Sequence, residues 1–473
     1  MKQHTVSVVD SGRSPLSVIV LLAWPIFLEQ VLVALVQSID TAMVGSLGAA
    51  ATASVSISQN PINLINSVIL ALGVGFTTMI ARAVGAGQLD YARTLIRQAI
   101  LVVIALGLPL SVMTFCLARQ IPQWMGAEAA IIPDAAAYIR IIALSMLFRG
   151  MMMVLTAIYR GFGDSHTPML VNGGINLFNI IGNYLLIYPT HTVQLLGREW
   201  TIWGAGWGVS GAAASTSLAE VAGALVLLAL CFTRSGPMHI SPRDNFRPQW
   251  GTLREVFTVS TPIIFERFTT SGAFVVTSAI IASLGTVSIA ANSLAAQAES
   301  LSFMPGFAFG TAVTTLVGQS LGAQRVPLAN RYVRLTCVIG SIVMFFTGCV
   351  LFLGSEHIIA LFTPDPEVIR LGGILLRILA LIQVPQVLAM IWSGALKGAG
   401  DTRSPFLIIL VSMWGVRILG SFVLVHFFGR DLPWVCAIAC VDNVVRCGLF
   451  WRQMRRSPWV LSRRQLAEAG ADA

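Results

Sequence analysis

Charge is what this sequence has least of. Among its 473 residues only 11% are Asp, Glu, Lys or Arg, and just 21 are acidic. Nothing between residues 16 and 451 is polar for long enough to form a soluble domain. Hydrophobic residues make up 56% of the chain, and the mean hydropathy is +0.79. A water-soluble chain could not hide that much apolar surface, whereas one dissolved in lipid need not. CxxC pairs are missing too. Cys116, Cys231, Cys337, Cys349, Cys436, Cys440 and Cys447 lie in or beside apolar segments. That spacing argues against a zinc ribbon or a disulfide framework and suits small packing residues. The sequence has no GxxxxGK[ST] loop, so ATP is not expected to drive this chain. His166, His191, His239, His357 and His426 are scattered, and no paired-carboxylate motif marks an enzyme. No cofactor is implied.

What is present is a series of apolar runs, each near the 20 or so residues that cross a bilayer. They fall at 16–44, 50–81, 95–118, 134–159, 167–189, 205–233, 253–281, 287–318, 332–354, 367–395, 405–428 and 432–452. The first exceeds the apolar core of a cleavable signal and reads as a span. Basic residues gather on the side of the odd-to-even alternation that holds the N-terminus. They are Arg82, Arg93, Arg97, Arg160, Arg234, Arg243, Arg247, Arg254, Arg325, Arg331, Arg334, Lys397 and Arg403, then the tail's Arg452, Arg455, Arg456, Arg463 and Arg464. The opposite side holds roughly six, including Arg119, Arg198 and Arg430. Both termini are therefore expected in the cytoplasm of a plasma (inner) membrane protein. The net charge of +9 is then a topology signal rather than a nucleic-acid footprint.

The chain repeats itself at a spacing of 237 residues. Pro25 and Pro262, Glu29 and Glu266, Gly73 and Gly310, Thr77 and Thr314, Gly85 and Gly322, and Arg140 and Arg377 all match in one register. So do Arg160-Gly-Phe-Gly-Asp164 and Lys397-Gly-Ala-Gly-Asp401, each followed by a proline, Pro168 or Pro405. Six spans per repeat give both halves the same orientation, with a pseudo-two-fold axis along the membrane normal. The expected fold is an all-α polytopic membrane protein of twelve transmembrane helices in two pseudo-symmetric six-helix lobes. Residues 1–233 form the first lobe, 234–252 a basic cytoplasmic connector, and 253–473 the second lobe with its basic tail. Two lobes that rock about a shared cleft make a transporter plan, and a monomer suffices for it.

Ionisable or amide side chains in hydrocarbon ask for a reason. Asp40 is the first, and its repeat mate is Thr277, so this acid belongs to one lobe only. Asn172, Asn176, Asn179 and Asn183 form one stripe on the fifth span. Thr216 and Glu220 follow a small-residue run on the sixth. Together they suggest a polar pocket that takes a proton or Na⁺, although interhelical hydrogen bonding would explain each amide singly. Glu29 and Glu266 are repeated, which favours architecture over coupling; with Gln297 they are secondary candidates. Pro25 and Pro262 are symmetric bends and candidate hinges. Pro61, Pro305 and Pro385 also fall in spans. Arg149, Arg267, Glu299, Arg417, Asp442 and Arg446 lie in or near spans, and some of them should pair, Asp442 with Arg446 for example.

These residues resemble the multidrug and toxic compound extrusion (MATE) transporters. The likeness rests on Pro25-Ile26, Asp40-Thr-Ala-Met-Val-Gly45, the two Gly-x-Gly-Asp loops, Leu301-Ser-Phe-Met-Pro-Gly306 and Thr314-Thr-Leu-Val-Gly-Gln319-Ser-Leu-Gly322. It implies antiport of small-molecule drugs or metabolites, often cationic, against H⁺ or Na⁺. The family's cation site maps onto Asp40, Asn179, Asn183 and Thr216, which would be the ligands if the ion is Na⁺. The acid that one branch carries on span 7 is Thr270 here. The resemblance therefore implies coupling through the first lobe, similar to the DinF-like branch rather than the NorM-like one. The alternative is a lipid-linked precursor flippase of the same superfamily, which would need a cleft richer in cations.

Overall fold

Lipid offers a backbone no hydrogen-bond partner, so each apolar run closes its own bonds as a helix. The computed structural model describes residues 12–195, 198–234, 236–241 and 243–460. Arg463 and Arg464 of the basic tail lie outside these residues. Among these described residues eleven helices are long and apolar enough to span, and one bent pair makes a twelfth. They are α1 (Pro15–Gly45), α2 (Ala49–Gly85), α3 (Leu89–Cys116), α4 (Ile132–Gly161), α5 (His166–Ile187) and α6 (Gly208–Thr233), then α7 (Trp250–Ala282), α8 (Thr286–Gly322), α9 (Val326–Leu353), α10 (Pro366–Ala380 with Gln383–Gly398), α11 (Arg403–His426) and α12 (Leu432–Arg456). Several helices overrun the apolar run that announces them, mostly on the side of the termini. Backbone hydrogen bonding continues into the headgroup region, where hydropathy has already fallen.

Three features depart from straight, uniform helices. A hairpin of β1 (Pro189–Leu195) and β2 (Arg198–Ala205) joins α5 to α6 in antiparallel register, Thr192 opposite Thr201. It is a strand pair inside what the sequence reads as an all-helical chain, built where β-branched Thr190, Thr192, Val193, Thr201 and Ile202 replace an apolar run. Helix α10 is broken by 51° between its two arms. Pro385 stands in the first turn of the second arm, where a missing N–H costs nothing. Pro25, Pro61, Pro262 and Pro305 instead lie inside continuous helices. Finally, residues Val411–Ile418 of α11 form a π-helical stretch carrying Trp414 and Arg417.

The internal repeat becomes a set of duplicated bonds. Thr77 Oγ1 donates to Gly73 O (3.1 Å) and across to Ala157 O of α4 (2.7 Å). Thr314 Oγ1 donates to Gly310 O and Gly394 O, both at 3.1 Å. Each Gly-x-Gly-Asp loop turns at a glycine with positive φ, Gly163 at 84° and Gly400 at 89°. Its aspartate then caps the next helix: Asp164 Oδ1 accepts from Thr167 N (2.9 Å) and Asp401 Oδ1 from Ser404 N (3.0 Å).

Among the described residues, close contacts and hydrogen bonds join the lobes over the half of the membrane nearer the termini. Gly75 lies against the Ser260 side chain, Gly318 against Ala81, and Gly322 against the Arg82 backbone. Gln319 Nε2 donates to Gly161 O (2.9 Å), Thr315 Oγ1 to Arg160 O (3.0 Å) and Tyr91 OH to Glu255 Oε2 (2.7 Å). In the other half, Gln37, Ser38 and Thr41 on α1, Asn60 and Asn63 on α2, and Ser293, Gln297 and Ser300 on α8 are exposed. Polar side chains left open in this way mark a cleft that opens on the side away from the termini.

Candidate functional site

Helices α1 and α5 run parallel with a fixed offset, and that offset distributes the asparagine stripe. Asn172 Nδ2 donates to Glu29 Oε1 (2.9 Å), and eleven residues further on Asn183 Nδ2 donates to Asp40 Oδ1 (2.5 Å). Both pairs are 143 residues apart. Asn176 falls between them, where α1 offers Val33, and its buried Nδ2 has no partner. The stripe therefore serves two carboxylates on one neighbouring helix.

At Asp40 the cluster is tight. With its amide nitrogen turned to the carboxylate, Asn179 donates to Asp40 Oδ1 at 3.0 Å. Its oxygen then accepts from Thr216 N (3.2 Å) and Thr216 Oγ1 (3.1 Å). The reverse orientation would leave Asn179 Nδ2 on the Thr216 hydroxyl and its oxygen facing Asp40. Matching donors to acceptors selects the first. Close approach of α5 to α6 makes the arrangement possible. Gly182 abuts the Ser215 side chain, Gly211 abuts Leu186 O, and Ser215 Oγ donates to Asn179 O at 2.8 Å.

Among the described residues no Lys or Arg forms an ion pair with Asp40. The oxygens of Asp40, Asn179, Asn183 and Thr216 make a hard-donor set suited to Na⁺, and Asn183 Oδ1 is buried with no donor. As found, the two amides present N–H groups to the carboxylate. Binding Na⁺ would require them to turn, whereas a proton on Asp40 Oδ2 leaves both amides donating to Oδ1. The second lobe lacks the cluster: Thr277 Oγ1 donates to Ala273 O of its own helix (2.8 Å), and Val416 and Gly420 stand at the repeat positions of Asn179 and Asn183.

Glu220 does not join this group. It takes Arg149 Nε on Oε1 (2.6 Å) and Ser145 Oγ on Oε2 (3.3 Å), one turn deeper on α6 than Thr216. Sequence spacing could not reveal that pairing, because Arg149 is 71 residues away. Sequence reading also passed over Tyr138 of α4. It is buried and accepts from Gln59 Nε2 (3.3 Å). A single tyrosine in an apolar span gives no signal of that kind.

The remaining candidates are architectural in their contacts. Glu29 Oε2 pairs with Arg160 Nη2 and Glu266 Oε1 with Lys397 Nζ, both at 2.7 Å, and both pairs are 131 residues apart. Each ties the first helix of its lobe to the Gly-x-Gly-Asp loop. Gln297 is exposed on α8 and makes no side-chain hydrogen bond with a described residue. Pro25 is buried in α1, and Pro262 lines a groove between α7 and α11. In the second lobe Asp442, fully buried, pairs with Arg446 Nη2 (2.5 Å) and Arg417 Nε (3.1 Å).

A profile of the MatE family matches residues 25–185 and 262–423, two segments that begin 237 residues apart, the spacing of the internal repeat. The probable multidrug resistance protein NorM of Thermotoga maritima is 29% identical over 456 residues, 95% of each chain. Multidrug resistance protein PmpM of Pseudomonas aeruginosa is 27% identical over 417 residues, 86% of this chain and 83% of that one. Among solved structures, an outward-facing MATE family transporter of the MOP superfamily superposes with a TM-score of 0.88 at 22% identity, over 98% of this chain and 100% of that one. A MOP superfamily transporter from Pyrococcus furiosus gives 0.87 at 22% identity, over 97% and 99%. With that profile matching both halves of a twelve-helix membrane fold, the chain belongs to the MatE family of transporters.

Proposed function

We propose that this protein is a secondary active efflux transporter that exports organic, often cationic, drugs or metabolites by antiport with H⁺ or Na⁺. The observation that carries the reading is Asp40: a carboxylate inside a span, held by two amides and no cation. Relatives named for multidrug resistance support the export of drugs. The two lobes joined at one face, with a cleft opening at the other, support alternating access. A proton or Na⁺ entering from outside neutralises Asp40, weakens the hold on cargo and lets the lobes rock, after which the ion leaves on the inner side. One elementary charge crossing 100 mV supplies about 2.3 kcal/mol, to which a chemical gradient adds. No nucleotide is needed. In this reading both termini are cytoplasmic in the inner membrane, the protein works as a monomer, and coupling lies in the first lobe, as the DinF-like likeness implies. Thr270 on span 7 supports that last point.

Proteoliposomes loaded with a fluorescent organic cation test this, with pH and Na⁺ gradients imposed separately. Wild type should move the cation under one gradient, and Asp40→Asn should bind it yet lose the gradient dependence. Undiminished gradient-driven transport by Asp40→Asn would remove Asp40 from the mechanism.

A further inference from the structure

Setting the buried and half-buried charged side chains deep in the spans against one another leaves one carboxylate over in the first lobe and one cation over in the second. In the first lobe Glu29 pairs with Arg160 and Glu220 with Arg149, and Asp40 remains. In the second, Lys397 pairs with Glu266. Arg446 and Arg417 share Asp442, and Glu299 accepts instead from Gln386 Nε2 (3.5 Å). Three cations thus have a carboxylate partner, and Arg267 of α7 remains without one. It forms no hydrogen bond or ion pair with a described residue, and its Nε is shut off from solvent without an acceptor.

The face of α7 that carries Arg267 is the one turned to the other lobe. Ser260 lies on that face, pressed against Gly75 of α2 where the lobes join. Arg267 is seven residues further on, displaced by about 20° around the helix and about 10 Å along it. That step leads away from the joined half towards the open cleft. The same stripe continues through Ser271, Phe274 and Ser278, of which the last two are exposed. Phe265, Phe268 and Val275, exposed apolar residues, lie on other faces and mark the lipid side. A half-buried guanidinium on the polar face of a cleft, with its own acceptors missing, is built to receive an anionic group from outside the chain.

We propose that Arg267 is an anion subsite of the cleft, so that the preferred cargo carries a carboxylate or comparable acid as well as its organic cation. This rests on the export reading above and narrows its substrate class to zwitterions. The cationic end of such a cargo lies towards the first lobe, where Asp40 has no cation partner among the described residues, and its acid end on Arg267.

Two dansyl probes differ only in the group at issue. Nα-dansyl-lysine carries an ammonium and a carboxylate, and dansylcadaverine carries the ammonium alone. Equilibrium binding to the full chain in nanodiscs, read by dansyl fluorescence, needs no gradient and so stands apart from whether transport is ion-driven. Wild type should bind dansyl-lysine more tightly than dansylcadaverine. Arg267→Gln should weaken dansyl-lysine by about tenfold or more, the worth of a charge-assisted hydrogen bond, and leave dansylcadaverine unchanged. Arg267→Lys should keep much of the preference. Ser271→Asp, one turn away on the same face, should abolish it by neutralising an intact Arg267, which covers the case in which the glutamine variant does not fold. Equal loss of both probes, equal binding of both by wild type, or binding of neither would overturn the assignment.

Discussion

Glu29 gives one oxygen to Arg160 and the other to Asn172, whereas Glu266 has Lys397 on one oxygen and no hydrogen bond on the other. The two acids are repeat mates, yet they differ in how completely they are satisfied. Removing one partner from a buried ion pair strands the other charge, which costs about 3–5 kcal/mol. Glu29→Ala should therefore lower the unfolding midpoint in mild detergent sharply, and the uncharged pair Glu29→Gln with Arg160→Gln should recover most of the loss. Glu266→Gln should cost less than Glu29→Gln, because one oxygen of Glu266 is already unpartnered; a larger cost for Glu266 would contradict this bond accounting. The same residues show what sequence could convey. Repetition of Glu29 and Glu266 pointed to architecture, and singleness of Asp40 pointed to a site. The asparagine stripe was visible as periodicity, but its division between Glu29 and Asp40 depends on the 143-residue offset of two parallel helices. Grouping Glu220 with Asp40 followed from their shared polarity, and only the fold shows Arg149 beside Glu220 instead. Arg267 was visible as a charge in a span, while its lack of a partner could be seen only once every other charge had been placed.

Among the elements, α2 and α8 hold their lobes together through the same bond. Thr77 and Thr314 each reach a carbonyl on the fourth helix of the lobe, Ala157 O or Gly394 O, beside a glycine that permits the approach. Bonds of this kind inside membrane bundles average about 0.6 kcal/mol. Thr77→Val and Thr314→Val should each destabilise by about that amount, with Thr77 the more costly because its bond is shorter. Unfolding in SDS–detergent mixtures measures both, and a loss of several kcal/mol in either would mean the hydroxyl does more than bridge two helices. Helix positions were legible because lipid imposes one length and one composition on every span. The hairpin after α5 was not, since its seven- and eight-residue strands carry no apolar run. The break in α10 was half legible: Pro385 marks the place, but its 51° angle arises from how the two arms pack.

At the scale of the molecule the joined half of the lobes is a seal, and in the proposed alternating access the cleft above it opens to the side of the termini only if that seal parts. Gly75 and Ser260 sit at its upper edge, and a Cβ added at Gly75 would lie 3.2 Å from that of Ser260. Disulfides span Cβ atoms about 3.5–4.5 Å apart, so a shift of a few tenths of an ångström would let Gly75→Cys and Ser260→Cys bridge. The seven native cysteines are unpaired, Cys116 exposed among them, and would first be replaced. Oxidation should then cross-link the pair, stop gradient-driven transport in proteoliposomes, and leave a cysteine placed at Ser300 open to a membrane-impermeant maleimide. Reduction should restore transport, because the lobes are again free to separate. Full transport with the cross-link intact would mean that cargo passes without the seal opening. The rocking of two lobes would then have to give way to a motion confined within one lobe, where Asp40 and its amides lie.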